Sequence, residues 1–253
     1  MADDDAIDSQ ALTGGDVTRY RALVARISYL SQDRPDLKFA AMQVCCAMAN
    51  PTVRDSERVK RIGRYLAGRP RAKCWFRWQQ SGELEAYSDA DWGGDKATRR
   101  SVSGGVIMRG GHCLKVWTKK QQVVSLSSAE SELYAAVKTA SEGLGVQSVA
   151  KDLGIFCGLN LHLDATATMG LVNRRGLGKT KHVDMQNLWI QEASKSGRFV
   201  TKKVGTSVNP ADLMTKPLPK PKIEQLMSLM GYEFVKGETG ALKGRAGGEM
   251  RLQ

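Results

Sequence analysis

Histidine, cysteine and acidic residues are all in short supply in this chain of 253 residues. Three histidines, at 112, 162 and 182, are too few and too badly spaced for a zinc finger. Five cysteines, an odd number, lie at 45, 46, 74, 113 and 157 with no Cys-x-x-Cys pair. That excludes a disulfide scaffold and favours a reducing, intracellular setting, cytoplasmic or nuclear. No long apolar run exists: Phe39–Ala49 is broken by Gln43 and falls far short of the roughly 20 residues that cross a bilayer. The first residues are acidic and lack an apolar segment, unlike a secretory signal.

Acids are outnumbered, 26 against 38 Lys and Arg, for a net charge of +12. The imbalance is uneven. Residues 1–16 carry five Asp and no base, which leaves +17 in the remainder. A body so basic points to a polyanionic partner, most simply nucleic acid, although a generic basic protein fits charge alone. The 42% hydrophobic content supports a buried core.

Periodicity divides the rest. The leader through Asp16 reads as a flexible tail. Tyr20, Leu23, Val24, Ile27 and Leu30 repeat at helical spacing, and Arg34-Pro35 and Asn50-Pro51 cut the region into helices at 17–31, 36–49 and 52–67. The third carries an apolar stripe of Val59, Ile62, Tyr65 and Leu66. Eight bases and no acid lie between Arg58 and Arg77, which suits a helix packed inward with its bases toward phosphates. Strands are expected at Lys73–Trp78, Leu84–Ser88, Val102–Arg109 and His112–Thr118, the last two joined by Gly110-Gly111. Ser127 opens a long helix with Glu130 in capping-box position, over a stripe of Leu133, Val137, Ala140 and Leu144. A strand at 158–164, helices near 166–174 and 183–194, a strand at Phe199–Val204 and a last helix from Asn209 follow. Lys236–Gln253 holds five Gly and no apolar period, so a loose tail is expected from 231. The pattern is an α/β mixed sheet flanked by helices, beside a small helical module.

In so basic a chain the informative residues are carboxylates at strand ends and on a core helix: Asp89 and Asp91, Glu132, Asp164 and Asp212. Singly, each has an ordinary structural use, such as capping a turn or favouring a helix N-terminus. Converging, they would repel and raise one another's pKa, and a divalent cation is the simplest remedy. Oxygen-only ligands favour Mg²⁺ or Mn²⁺ over Zn²⁺.

Four strings carry a family resemblance: YSDADWGGDKATRRSVSGGVIM (87–108), WTKKQQVVSLSSAESELYAA (117–136), KTKHVDMQNLWIQE (179–192) and NPADLMTKPLP (209–219). They resemble the ribonuclease H region of copia-type LTR-retrotransposon Pol polyproteins. Upstream, YRALVARISYLSQDRPDLKFA (20–40) and VKRIGRYLAG (59–68) are similar to the thumb and connection that follow the polymerase. The resemblance implies an RNase H-like domain over 72–230 after a thumb/connection-like segment at 17–71. It implies Asp89, Glu132, Asp164 and Asp212 as the catalytic, metal-holding quartet, with two Mg²⁺ or Mn²⁺ ions. Asp89 is preferred to Asp91 because the family's first Asp closes its strand, and Glu132 to Glu130 because SELYA matches the family's pattern. The implied activity is two-metal hydrolysis of RNA in RNA–DNA hybrids, with 5′-phosphate products, and the implied partners are the hybrid and the remainder of a reverse transcriptase or Pol polyprotein, with a retroelement particle as one setting. Arg58, Lys60, Arg61, Arg64, Arg99, Arg100, Lys179, Lys181 and His182 are the expected nucleic-acid contacts; His182 and Asp184 are read as phosphate-contacting or structural rather than metal ligands. Two features depart from the family. Ala165 and Thr166 follow Asp164 where Asn or Ser, then Gln, is usual, and the polymerase's Tyr-x-Asp-Asp is absent. An inactive nucleic-acid-binding remnant, or a structural part of a larger reverse transcriptase, are the alternatives.

Overall fold

The computed structural model describes residues 10–80, 82–95, 98–174 and 189–235. Three helices come first: α1 (Gly15–Leu30), α2 (Lys38–Cys46) and α3 (Val53–Gly68). A short 3-10 turn at Pro35–Leu37 separates the first two, because Arg34, extended before Pro35, cannot continue a helix. Thr52 and Asp55 close a reciprocal capping box at the start of α3. Tyr20, Val24, Ile27, Leu37, Ala41, Val44, Val59 and Ile62 form a core of their own, with Tyr65 and Leu66 against it.

The main sheet holds β2 (Leu84–Asp91), β3 (Val102–Arg109), β4 (His112–Lys120), β5 (Leu159–Leu163) and β6 (Val200–Lys203), in the order β4-β3-β2-β5-β6. The β2–β3 and β3–β4 pairs are antiparallel; β2–β5 and β5–β6 are parallel. The result is a mixed α/β sheet flanked by helices. Strand alternation gives β3 two buried faces. Ile107 joins Leu84, Ala86, Leu161 and Leu163 beneath α4 (Ser128–Asp152), α5 (Thr166–Asn173) and α6 (Trp189–Lys195). Val106 and Met108 meet Leu213 and Met214 from α7 (Asp212–Thr215), Leu226 from α8 (Lys220–Leu229) and Met230 just past it on the other face.

Four sequence expectations are corrected. The strand expected to end at Ser88 runs to Asp91, so Asp89 lies inside it, opposite Gly104. The first strand, β1, spans Arg71–Cys74 rather than Lys73–Trp78 and stays out of the main sheet. Its partner is β7 (Tyr232–Val235), the first part of the supposed loose tail, in antiparallel register from Arg71↔Val235 to Cys74↔Tyr232. The last helix is two, because Pro217 and Pro219 break the run after Lys216. The leader through residue 9, the stretch 175–188 with Lys179, Lys181, His182 and Asp184, and the end from 236 lie outside the described residues.

The helical segment is docked rather than strung out. Arg34 pairs with Asp36 at 2.7 Å and lies over the Phe234 ring; Arg69 stacks on the same ring at 4.5 Å and pairs with Glu224 at 2.6 Å. α2 packs on β4 and α7.

Candidate active site

Asp89 on β2 and Asp164 just after β5 each sit two residues past the paired Tyr87 and His162 of these parallel strands, so the register itself brings them together. Glu132 reaches them from the second turn of α4. Ser127 accepts the Glu130 backbone N–H at 3.2 Å, fixing where α4 begins. Glu130 is occupied elsewhere: it accepts from the Leu126 N–H and from the Tyr134 hydroxyl, both at 2.9 Å. The box is therefore displaced by one residue from the reciprocal form, and Glu132 is left free to turn inward. Its Oε1 accepts the Ala90 N–H at 3.1 Å.

Carboxylate oxygens of Asp89, Glu132 and Asp164 lie within 4.8 Å of one another, the one group of three or more acidic, His or Cys ligands with metal-holding geometry among the described residues. Asp89 is 2% exposed. Burial, then the charges of Asp89 and Asp164, push the Glu132 carboxyl up to about 9. Asp164 is raised by burial and by Asp89.

Asp212 is not part of that group, though it is buried and stands close by. Asn209 anchors its loop by donating to the Ser88 carbonyl at 3.0 Å, while its own Oδ1 accepts from the Ala211 N–H at 3.1 Å. From α7 the Thr215 hydroxyl donates to Asp89. One turn beyond Asp212, the Lys216 ammonium lies 2.9 Å from Asp212 Oδ1 and 3.4 Å from Asp89 Oδ2. Burial raises the Asp212 carboxyl and Asp89 raises it further, against the pull of Lys216. Burial works to lower the Lys216 pKa, but Asp89 and Asp212 outweigh it and hold the ammonium above its ordinary value. Lys216 is thus a resident cation that joins Asp212 to Asp89. It stood in a string singled out from the sequence, with no role attached; its i, i+4 spacing from Asp212 was the signal available. Asp91 stays outside the group, half-buried, with its pKa raised first by burial.

Of the expected nucleic-acid contacts, Arg58 and Arg61 line clefts that border this site at Lys216 and Asp91. One, of about 740 Å³, runs between α2–α3 and Lys216; a second brings Arg54 and Arg58 opposite Asp91. Arg54, at the start of the basic helix expected to hold the backbone, is a further base here that was not named among the individual contacts. Lys60 is tied to Glu57 at 2.5 Å, and Arg64 is exposed but lines neither cleft. Arg58 also pairs with Asp55 at 2.9 Å. Arg99, at φ 57°, and Arg100 are exposed on the loop after β2. Among the described residues no helix is long and apolar enough to cross a membrane.

No protein-family model matches the chain. It is 32% identical over 228 residues to the retrovirus-related Pol polyprotein from transposon RE1 of Arabidopsis thaliana, a match covering 87% of this chain and 15% of that protein. It is 31% identical over 235 residues to the corresponding polyprotein from transposon RE2 of the same plant, covering 90% and 16%. The chain thus spans only about a sixth of the length of these relatives. Among solved structures, an RNase H1 isolated from compost is similar with a TM-score of 0.40 at 12% identity, over 53% of this chain and 93% of that one.

Proposed function

The chain belongs with the retrovirus-related Pol polyproteins of transposons, and from that premise we propose that it is their RNase H part, cleaving the RNA strand of RNA–DNA hybrids at Asp89, Glu132, Asp164 and Asp212. The observation that carries this reading is the convergence of three carboxylates within 4.8 Å, one of them pushed to about 9. Such a group is unstable as a set of charges and well suited to a hard cation. The all-oxygen donor set fits Mg²⁺ or Mn²⁺, held by Asp89, Glu132 and Asp164 with Asp212 beside them. When bound, a pair of such ions supplies Lewis-acid activation of water and of the leaving oxygen.

The remaining work falls to the protein. Thr215 fixes the Asp89 carboxylate, and the Ala90 N–H orients Glu132. Arg54, Arg58 and Arg61 grip the phosphate backbone across the clefts. Segment 17–71 is read as the thumb/connection-like module and 72–230 as the RNase H-like domain, working in an intracellular setting, in association with the rest of the polyprotein.

The test is cleavage of a labelled hybrid in Mg²⁺ by wild type, Asp89→Asn and Glu132→Gln. Cleavage by wild type alone is expected; a folded wild type without activity sinks the enzymatic reading. Hybrid affinity should fall steeply with salt, as phosphate contacts release counterions. A second reading, binding without cleavage, is favoured by one observation. The Thr166 hydroxyl, at the position where the family usually carries Gln, accepts from Lys203 at 2.8 Å instead of serving the site. Under either reading an intact cluster should gain thermal stability from Mn²⁺, so hydrolysis, not metal binding, separates them.

A further inference from the structure

At the opposite end of β2 from Asp89 the chain displays aromatic side chains to solvent. The β1–β7 ladder ends at Cys74, with one further bond from the Trp75 N–H to the Gly231 carbonyl at 3.0 Å. Beyond it Trp75, Phe76 and Trp78 are 46%, 70% and 99% exposed. Isolated apolar residues are common on surfaces, but three large rings within four residues, one with no cover at all, mark an interaction surface.

This segment is held in place at both ends. The Trp75 indole donates to Glu233 at 3.0 Å. The Gln79 amide donates to the Arg109 carbonyl at 2.7 Å, accepts the Gly111 N–H at 2.9 Å, and lies 3.1 Å from His112 Nδ1. Phe76 rests against the His112 ring at 5.2 Å. Gly110, at φ 58°, leaves no room for a Cβ, which would meet Gln79 at 2.3 Å.

Arg77 and Arg109 line the cleft beside Phe76 and Trp78, whose described lining holds no acid. Lys73 and Arg77 stand 5.8 and 5.9 Å from the Trp75 ring centre. The acids nearby, Glu233 and Glu224, are engaged by the Trp75 indole and by Arg69. Bases interleaved with exposed rings suit an unpaired nucleic-acid strand, in which every base offers a π-face and every linkage a phosphate.

We propose that Trp75, Phe76 and Trp78, with Lys73 and Arg77, form a second nucleic-acid site, which takes an unpaired strand by stacking and does not distinguish DNA from RNA. Leu84 pairs with Arg109 at this end of β2, and Asp89 lies five residues along, roughly 17 Å at about 3.3 Å per residue. The site is therefore separate from the carboxylates and needs no metal. It does not rest on the hydrolytic reading.

The experiment is fluorescence anisotropy with the full chain in EDTA, using a labelled unpaired DNA of about 12 nucleotides and an RNA of the same sequence. Wild type should bind both alike. Trp78→Ala should weaken binding of each about tenfold, and Trp78→Phe should restore most of it. Since Trp78 is 99% exposed, its replacement leaves the melting temperature unchanged, and in Mg²⁺ it leaves hybrid cleavage unchanged. Failure of wild type to bind the unpaired strands overturns the proposal, as does equal binding by Trp78→Ala. If Trp78→Ala alters only self-association on gel filtration, the face is a protein interface and the proposal falls.

Discussion

Lys216 and Glu132 carry opposite solutions to the same electrostatic problem. Four buried or half-buried acids stand close together, and without a metal the charge is relieved in two ways. Lys216 supplies a cation to Asp89 and Asp212, and Glu132 holds its proton. Replacing Lys216 by Met strands those acids. Expected without metal is a loss of roughly 1–2 kcal/mol, less than for a fully buried pair because the lysine side chain is 32% exposed. Calorimetric titration should show Mn²⁺ binding more tightly to Lys216→Met than to wild type, because a competing positive charge is gone; weaker binding would refute the competition. Glu132 gives a pH prediction. A carboxyl raised from 4.5 to about 9 on folding contributes its full stability below 4.5 and loses it as pH climbs toward 9, because the unfolded chain ionises first. In EDTA at pH 8, Glu132→Gln should melt a few degrees above wild type; with Mn²⁺ the order should reverse. A wild type that melts higher in EDTA would contradict the buried proton. Both carboxylates that these arguments turn on, Asp89 and Glu132, were readable from the sequence strings. The lysine's approach to Asp89 was not, since it depends on how α7 lies against a strand more than a hundred residues earlier.

Gly104 decides that approach. Glycine in a strand interior weakens the strand and commonly marks a place where another backbone comes close. Here a Cβ on Gly104 would lie 2.4 Å from the Met214 Cβ, 2.9 Å from Thr215 Cγ2 and 3.1 Å from the Met214 carbonyl carbon. Backbone cannot yield as a side-chain tip can, so α7 must lift from the sheet. Gly104→Ala is expected to destabilise by about 1–3 kcal/mol. Because Thr215 and Lys216 ride on or beside α7, the Mn²⁺-induced thermal shift should change with it. Gly105→Ala is the control: its Cβ points to the other face, 2.5 Å from Trp117 Nε1 and 2.6 Å from Thr139 Oγ1, so it should destabilise while sparing the metal response. Equal metal responses in wild type and Gly104→Ala would show that α7 does not set the site. At this scale helical periodicity and the Gly-Gly turn located α1, α3, β3 and β4 well, because local pattern fixes local structure. β1 was misplaced by the aromatic run after Cys74, whose composition favours strands though no partner strand is there to pair with it.

At the scale of the whole molecule, Arg54, Arg58 and Arg61 gather along one cleft between the helical segment and the loop after α7. Docking of the helical segment against α7, α8 and β7 sets Arg54, Arg58 and Arg61 in clefts that reach Lys216 and Asp91, so the clefts exist only while that docking holds. This was the least legible feature. A four-residue strand in a Gly-rich tail has no periodic signal, and its pairing joins residues some 160 positions apart, Arg71 with Val235. Phe234 adds a shared cation–π contact to Arg34, from the turn between α1 and α2, and Arg69, from the end of α3. Ending the chain after Gly231 should therefore release the segment, whereas ending it after Val235 should not. The shorter truncation is expected to lower the melting temperature and to expose the stretch around Arg69–Arg71 to limited proteolysis. It should weaken hybrid binding and flatten its salt dependence, because the arginines no longer face the site. The Mn²⁺ response should persist, since Asp89, Glu132 and Asp164 belong to β2, α4 and the end of β5. If both truncations melt, resist protease and bind hybrid as the full chain does, β7 is dispensable and the helical segment is held by α7 and α8 alone.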